Sequence, residues 1–293
     1  MSAPARGSGV LNADPEEVAG AAMIIASATS IQLGAALATT TFDVISPVSA
    51  SGVSYAFAAL FVCLIFIPHP GGWSRQRRRD VAALGLVTAF ASSFLYLALD
   101  HLPLGSAVTI QFLGPLGVAI ATGRRRGELF AAVLALTGVA LVSSATPGGD
   151  LIGVAFALLG ALGWALYMFF SPRVSRHGGA GASLAVALCV TAVSLLPFSL
   201  AAVPELGSLE LLGVLAAVGI FARAVPFRLE LAALHRLPPA KAGVLFSVEP
   251  AIAALVGALA LGQGVALTQA LGILAVVLAG TIVLREVPEG LET

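Results

Sequence analysis

The chain has 293 residues, 58% of them hydrophobic and 10% charged, with a formal net charge of zero and a mean hydropathy of +1.00. A soluble domain carries about 25% charged residues, so a water-soluble globular fold is excluded and an integral membrane protein is indicated. The balanced charge argues against a nucleic-acid partner, which needs a clustered basic surface. Continuous apolar runs, unlike the alternating polarity of barrel strands, indicate helices.

A membrane helix needs about 20 mainly apolar residues. Ten such segments are predicted in chain order: 20–42, 47–67, 80–99, 103–122, 129–146, 151–171, 180–202, 209–234, 240–262 and 265–285. Residues 1–19 include Asp14, Glu16 and Glu17, unlike the basic start of a secretory signal, and are expected to form a disordered cytoplasmic tail. Residues 286–293 form the second tail. The connections are short and marked by turn formers, as at Ser46-Pro47, His69-Pro70-Gly71-Gly72, Thr146-Pro147-Gly148-Gly149 and His177-Gly178-Gly179. Cys63 and Cys189 fall inside apolar runs and are expected to pack as small residues, neither disulfide-bonded nor metal-bound. The histidines His69, His101, His177 and His235 lie in or beside loops without ligand spacing, so neither a metal nor a cofactor is expected.

Basic residues in loops mark the cytoplasmic side. With the N-terminus inside, the predicted inner loops and tails hold Arg6, Arg75, Arg77, Arg78, Arg79, Arg124, Arg125, Arg126, Arg173, Arg176, Arg236 and Arg285. The predicted outer loops hold none of these and carry Asp43, Asp100, Asp150 and Glu205. Both termini are therefore expected in the cytoplasm, and the alternation supports ten spans.

Leu102-Pro103 followed by Gly114-Pro115 matches Leu237-Pro238 followed by Glu249-Pro250, at an offset of 135. That offset lays the fourth segment on the ninth, which implies two five-helix repeats, 20–146 and 151–285, joined near Gly148-Gly149. Five is odd, so the second repeat enters from the opposite face. Inverted repeats of this kind are an arrangement of secondary transporters, with substrate near the midplane and alternating access by rocking. The fold expected is all-α integral membrane, with ten transmembrane helices as two inverted repeats.

Polar side chains inside such helices carry the functional signal, because a charge at the bilayer centre costs about 2.5–3.5 kcal/mol even on insertion scales. Glu249 sits mid-segment before Pro250, and Pro115, Pro226 and Pro250 are each expected to kink their helices. A carboxylate whose surroundings alternate between dry and hydrated can bind a proton in one state and release it in the other, so Glu249 and Glu230 are candidate proton-coupling groups. A permanent ion pair with the eighth helix is the bland alternative. Arg223 and Glu230 are seven apart, on nearly one face about 10 Å along the axis. Arg223 could equally be a structural partner of Glu249 or Glu230, or a substrate contact. Arg228 points about 140° away and is expected to snorkel to the cytoplasmic headgroups, as is Lys241 near the start of the ninth segment. Gln32 and Gln111 either line a cavity or bond neighbouring helices. Trp164 and Tyr167, on one face, either pack the core or wall the cavity.

The residues Ser30-Ile31-Gln32-Leu33-Gly34, Leu102-Pro103-Leu104-Gly105 through Phe112-Leu113-Gly114-Pro115-Leu116, Gly163-Trp164-Ala165-Leu166-Tyr167, Pro226-Phe227-Arg228-Leu229-Glu230, and Leu237-Pro238 through Glu249-Pro250-Ala251 carry a resemblance. Over roughly 22–285 the chain resembles the drug/metabolite transporter superfamily of EamA type, and more narrowly the bacterial threonine/homoserine exporters. The resemblance implies a bacterial inner-membrane exporter of small amino acids and related metabolites driven by proton exchange, with no enzymatic activity. Its expected partners are the substrate, the coupling proton and the lipid bilayer, with a homodimer left open. It departs from the family in two places: Tyr55 stands where members often carry a base, and Arg223 and Arg228 where they more often have small polar residues. The intramembrane positive charge is thus expected to have moved from the second helix to the eighth. Export of other metabolites or amphipathic drugs is the alternative, and an intramembrane enzyme a remote one.

Overall fold

The computed structural model describes residues 15–122, 126–144, 150–234, 236–237 and 245–285, and among them there is no strand. The helices are α1 (Pro15–Thr39), α2 (Pro47–Phe66), α3 (Arg75–His101), α4 (Leu104–Gln111), α5 (Leu113–Thr122), α6 (Arg126–Ser144), α7 (Leu151–Ser175), α8 (Ala180–Ser194), α9 (Leu196–Ala201), α10 (Leu209–Gly219), α11 (Val225–Leu234), α12 (Glu249–Ala260) and α13 (Leu267–Arg285). Five stretches are long and apolar enough to cross a membrane: Pro15–Thr39, Pro47–Phe66, Arg75–His101, Leu151–Ser175 and Leu209–Glu230. Five shorter apolar helices accompany them, Leu104–Val118, Phe130–Val142, Ala180–Ser194, Glu249–Ala260 and Leu267–Ile282.

Local chemistry sets where these helices start. The hydroxyls of Ser46, Ser74 and Ser208 and the carboxylate of Asp150 each accept a hydrogen bond from the backbone N–H three residues on, satisfying donors that the first turn leaves open. Pro47 occupies the first turn of α2, where its missing N–H costs nothing. The first helix begins at Pro15 rather than near residue 20, because a proline and two glutamates, Glu16 and Glu17, form a favourable N-terminal turn. Glu16 also pairs with Arg236 at 3.0 Å.

The three prolines expected to kink helices do more than bend them. Ahead of Pro115 the helix is interrupted at Phe112, ahead of Pro250 at Ser247 and Val248. Pro250 consequently stands in the first turn of α12 rather than in a bent interior. Ahead of Pro226 the chain widens into a π-turn, Ile220–Ala224, with the Val225 N–H reaching back to the Ile220 carbonyl. In each case the irregularity lies in the turn preceding the proline, whose ring crowds the carbonyl four residues back. Lys241 lies outside the described residues.

The most extensive helix contacts are α3 with α7, α6 with α13, and α2 with α8. The α3–α7 pair is antiparallel and clasped at both ends: His101 Nδ1 lies 2.8 Å from Asp150 Oδ2, and His177 Nε2 lies 2.8 Å from Asp80 Oδ2. Arg77 reinforces the second clasp by donating to the carbonyls of His177 and Gly178 and to Ser183 Oγ. Arg75–Arg79 therefore lie at the same end of the pair as Arg176, and Asp100 at the opposite end with Asp150.

Small residues let the helices approach, as expected where packing rather than water exclusion drives association. A Cβ added to Gly34 would overlap the Ala222 methyl in the π-turn, and one added to Gly114 would overlap the Ala161 carbonyl on α7. The two glycines thus hold α1 against the π-turn and α5 against α7.

Candidate functional site

A cavity of about 650 Å³ lies at the centre of the bundle. All seven polar and aromatic residues singled out from the sequence line it: Gln32, Gln111, Trp164, Tyr167, Arg223, Glu230 and Glu249. Pro115 and Pro226 also reach the wall, whereas Pro250 is not among the lining residues.

The irregular backbone explains how these groups reach one space. The interruption at Ser247 and Val248 puts Glu249 at the head of α12, where the positive helix end faces a carboxylate. Glu249 is 6% exposed, and its Oε1 accepts a 2.9 Å hydrogen bond from Gln32 Nε2 on α1. The second acid, Glu230 on α11, accepts a 2.8 Å hydrogen bond from Ser27 Oγ. Ser27 and Gln32 thus tie α1 to both carboxylates.

Arg223 belongs to the π-turn, a type of irregularity common at functional sites. Its Nη2 donates to Ser92 Oγ at 3.2 Å and to Tyr96 Oη at 3.1 Å, and its guanidinium lies 4.1 Å over the Tyr55 ring. Ser92 is braced in turn by Ser51 Oγ at 2.8 Å. The ion pairs among the described residues are His101–Asp150, His177–Asp80 and Arg236–Glu16. Arg223 is in none of them, so the ion pair with Glu230 or Glu249 left open by the sequence is not the arrangement adopted. Arg228 is exposed and rests 5.9 Å from the Phe66 ring at the end of α2.

Two buried polar atoms in this cluster have no hydrogen-bond partner among the described residues: Arg223 Nε, a donor, and Gln32 Oε1, an acceptor. Such atoms are costly unless something fills the role. The cavity is thus lined by a fixed cation, Arg223, together with two acidic side chains, Glu230 and Glu249, and the Gln32 amide, while the two unpartnered atoms are buried within its wall. That set complements a molecule carrying both an anionic and a cationic group. Phe112 and Trp164, 6.1 Å apart and nearly perpendicular, form an apolar wall between α7 and the break in α4–α5. Gln111 is 6% exposed and lies beside Phe112.

Ser27, Ser92 and Tyr96 were not singled out from the sequence. Ser92 and Tyr96 are four apart, hence on one helix face, but a serine and a tyrosine in an apolar run give no signal until the arginine from another helix meets them. The two cysteines are also closer than packing alone required, with Sγ atoms 3.5 Å apart.

The EamA-like transporter family matches residues 151–285. The threonine/homoserine exporter RhtA of Salmonella typhimurium (strain LT2) is 30% identical over 277 residues, covering 91% of this chain and 92% of the relative. The threonine/homoserine exporter RhtA of Escherichia coli K12 is 30% identical over 264 residues, 88% of each chain. A solved crystal structure shares the fold over 92% of this chain and 96% of its own, with a TM-score of 0.60 at 18% identity. The family is one of transporters rather than enzymes. With a family match over the second part of the chain and relatives of this similarity along nearly all of it, the chain belongs to the EamA-like transporter family.

Proposed function

We propose that the chain exports small zwitterionic amino acids of the threonine/homoserine kind by alternating access, coupled to proton entry through Glu249 and Glu230. The observation that supports this reading is that one cavity is lined by a guanidinium held outside any ion pair among the described residues, by two acidic side chains and by an amide. The substrate carboxylate would meet Arg223, and its ammonium would meet Gln32 and Glu249. Charge-assisted hydrogen bonds of this type contribute about 1.5–3 kcal/mol each, enough to select a zwitterion over a neutral molecule. The Arg223 guanidinium over the Tyr55 ring supports the idea that the positive charge has moved from the second helix to the eighth.

The proposal includes ten spans in two inverted repeats, 20–146 and 151–285, between cytoplasmic tails at 1–19 and 286–293. Support comes from the helix interruptions at Phe112 and Ser247, which are separated by the 135 residues that relate the proline pairs. Helices beside the two interruptions also meet across the repeats: Gln263 Oε1, just beyond α12, accepts from the Leu104 N–H of α4 at 3.0 Å. The clustering of arginines at one end of the α3–α7 pair, and their absence, among the described residues, from the end that holds Asp100 and Asp150, supports a bacterial inner-membrane orientation with both termini inside.

A second reading, export of larger amphipathic metabolites or drugs, is favoured by size. A cavity of about 650 Å³ is within the range of about 300–1,000 Å³ that accommodates drug-sized ligands. Overexpression in sensitive cells separates the two. Resistance to toxic amino-acid analogues, lost in Arg223→Ala, supports the amino-acid reading; resistance to amphipathic drugs alone refutes it in favour of the second.

A further inference from the structure

Cys63 and Cys189 are the two cysteines of the chain, they lie 126 residues apart on different helices, and their free thiols meet with Sγ atoms 3.5 Å apart. Cys63 lies one turn before the end of α2, and Cys189 lies within α8. The pocket around them is apolar, formed by neighbours such as Ala59, Val62, Ala185, Leu188 and Ala192. A disulfide needs sulfurs about 2.05 Å apart, so a side-chain movement of about 1.5 Å brings this pair to bonding distance. Nothing about export uses these thiols.

We propose that Cys63 and Cys189 are a redox-convertible pair, closing to an intramolecular disulfide that joins α2 to α8 and arrests the transport cycle. In the forward step a neutral, membrane-permeant diazene accepts both electrons and both thiol protons. Its N=N bond becomes N–N, two S–H bonds break and one S–S bond forms. A dithiol reductant reverses the step by exchange. The apolar surroundings select for such uncharged reactants, since a charged oxidant would have to shed its water to reach the sulfurs.

The consequence for transport rests on the proposed two-repeat architecture, in which α2 and α8 belong to different halves. The α2 helix carries Tyr55 beneath Arg223, and α8 lends Leu188 and Thr191 to the cavity wall. Rocking of one half against the other must shift this seam, and a covalent bond across it prevents that.

The test uses the full-length chain in membranes treated with the diazene diamide. Free thiols are then blocked with N-ethylmaleimide, and disulfides are reduced and tagged with a polyethylene-glycol maleimide. The expected result is two tags on the monomer after oxidation and none without it, with no tagged monomer for Cys63→Ser or Cys189→Ser. Purified native protein should melt at a higher temperature after oxidation, reversibly with dithiothreitol, while Cys63→Ser does not change. Substrate exchange by the native chain should slow at least tenfold on oxidation and recover on reduction, with Cys63→Ser insensitive. Absence of tags, or tags only on a cross-linked dimer, overturns the pair. Two tags with unchanged melting and unchanged exchange overturn the lock. If reduced chain carries no amino acid at all, the exporter reading fails, while tagging and melting still decide the pair and the joining of its helices.

Discussion

Replacing Arg223 with alanine should weaken substrate binding more than any change to the residues that hold it. The guanidinium is the one cation among the described residues that faces the central cavity, and a substrate carboxylate bonded to it contributes about 1.5–3 kcal/mol. At about 1.4 kcal/mol per decade, Arg223→Ala should raise the half-saturating substrate concentration by roughly 10- to 100-fold. Tyr55→Ala removes the ring 4.1 Å beneath the guanidinium, a cation–π contact of about 0.5–2 kcal/mol, and so should raise it by roughly 2- to 30-fold. Tyr96→Phe removes one 3.1 Å hydrogen bond and should fall at the low end of that range, because Ser92 still holds the group. The assay is concentration-dependent exchange of labelled threonine or homoserine in proteoliposomes, on variants that elute as monodisperse protein. If Arg223→Ala stays within about threefold of the native chain, or if Tyr55→Ala is the more damaging, the positive charge is not where the substrate binds.

Three further outcomes are expected. Gln32→Leu deletes the 2.9 Å bond to Glu249 and the free acceptor, and should raise the half-saturating concentration at least tenfold, consistent with losing a hydrogen bond to a charged group of about 1.5–3 kcal/mol; titration by exchange checks this. Gly34→Val forces a side chain into Ala222 and should destabilise the protein by about 1–3 kcal/mol, the usual cost of overpacking, read as a lower melting temperature with loss of exchange. At the α3–α7 clasp, the Gly153 N–H and then His101 hold the Asp150 carboxyl below its ordinary value of 3.8. A group depressed on folding stabilises above its unfolded value and loses that effect as pH falls through the folded one. The native melting temperature should therefore drop on acidification below about pH 4, and Asp150→Asn should show a smaller drop, measured by thermal scans across pH.

Much of the fold was legible because membrane helices announce themselves by length and apolarity, and because prolines break helices for a local reason. Pro115 and Pro250 each predict a kink, whereas the form found, an interruption at Phe112 and at Ser247 with a helix restart, depends on backbone relief that a sequence does not display. Gln32, Arg223, Glu230 and Glu249 stood out because charged and amide side chains are expensive in apolar segments. Their pairing did not: Arg223 was open to an ion pair with either acid, and chose Ser92, Tyr96 and the Tyr55 ring. Those partners are hydroxyls and an aromatic that a bilayer tolerates anywhere, so they carry no mark in one dimension. The contact between Cys63 and Cys189 was hidden for the same reason, since each alone reads as a small apolar residue.

The most direct test of the central claim, that a carboxylate in this cavity couples substrate movement to the proton, compares native chain with Glu249→Gln in proteoliposomes. Vesicles loaded with unlabelled threonine or homoserine take up labelled substrate by exchange, and a pH gradient is then imposed. The native chain should exchange saturably and accumulate substrate with the gradient, whereas Glu249→Gln, which keeps a polar partner for Gln32, should exchange without responding to pH. A native chain that exchanges no amino acid, or a Glu249→Gln variant that still follows the gradient, would contradict the account.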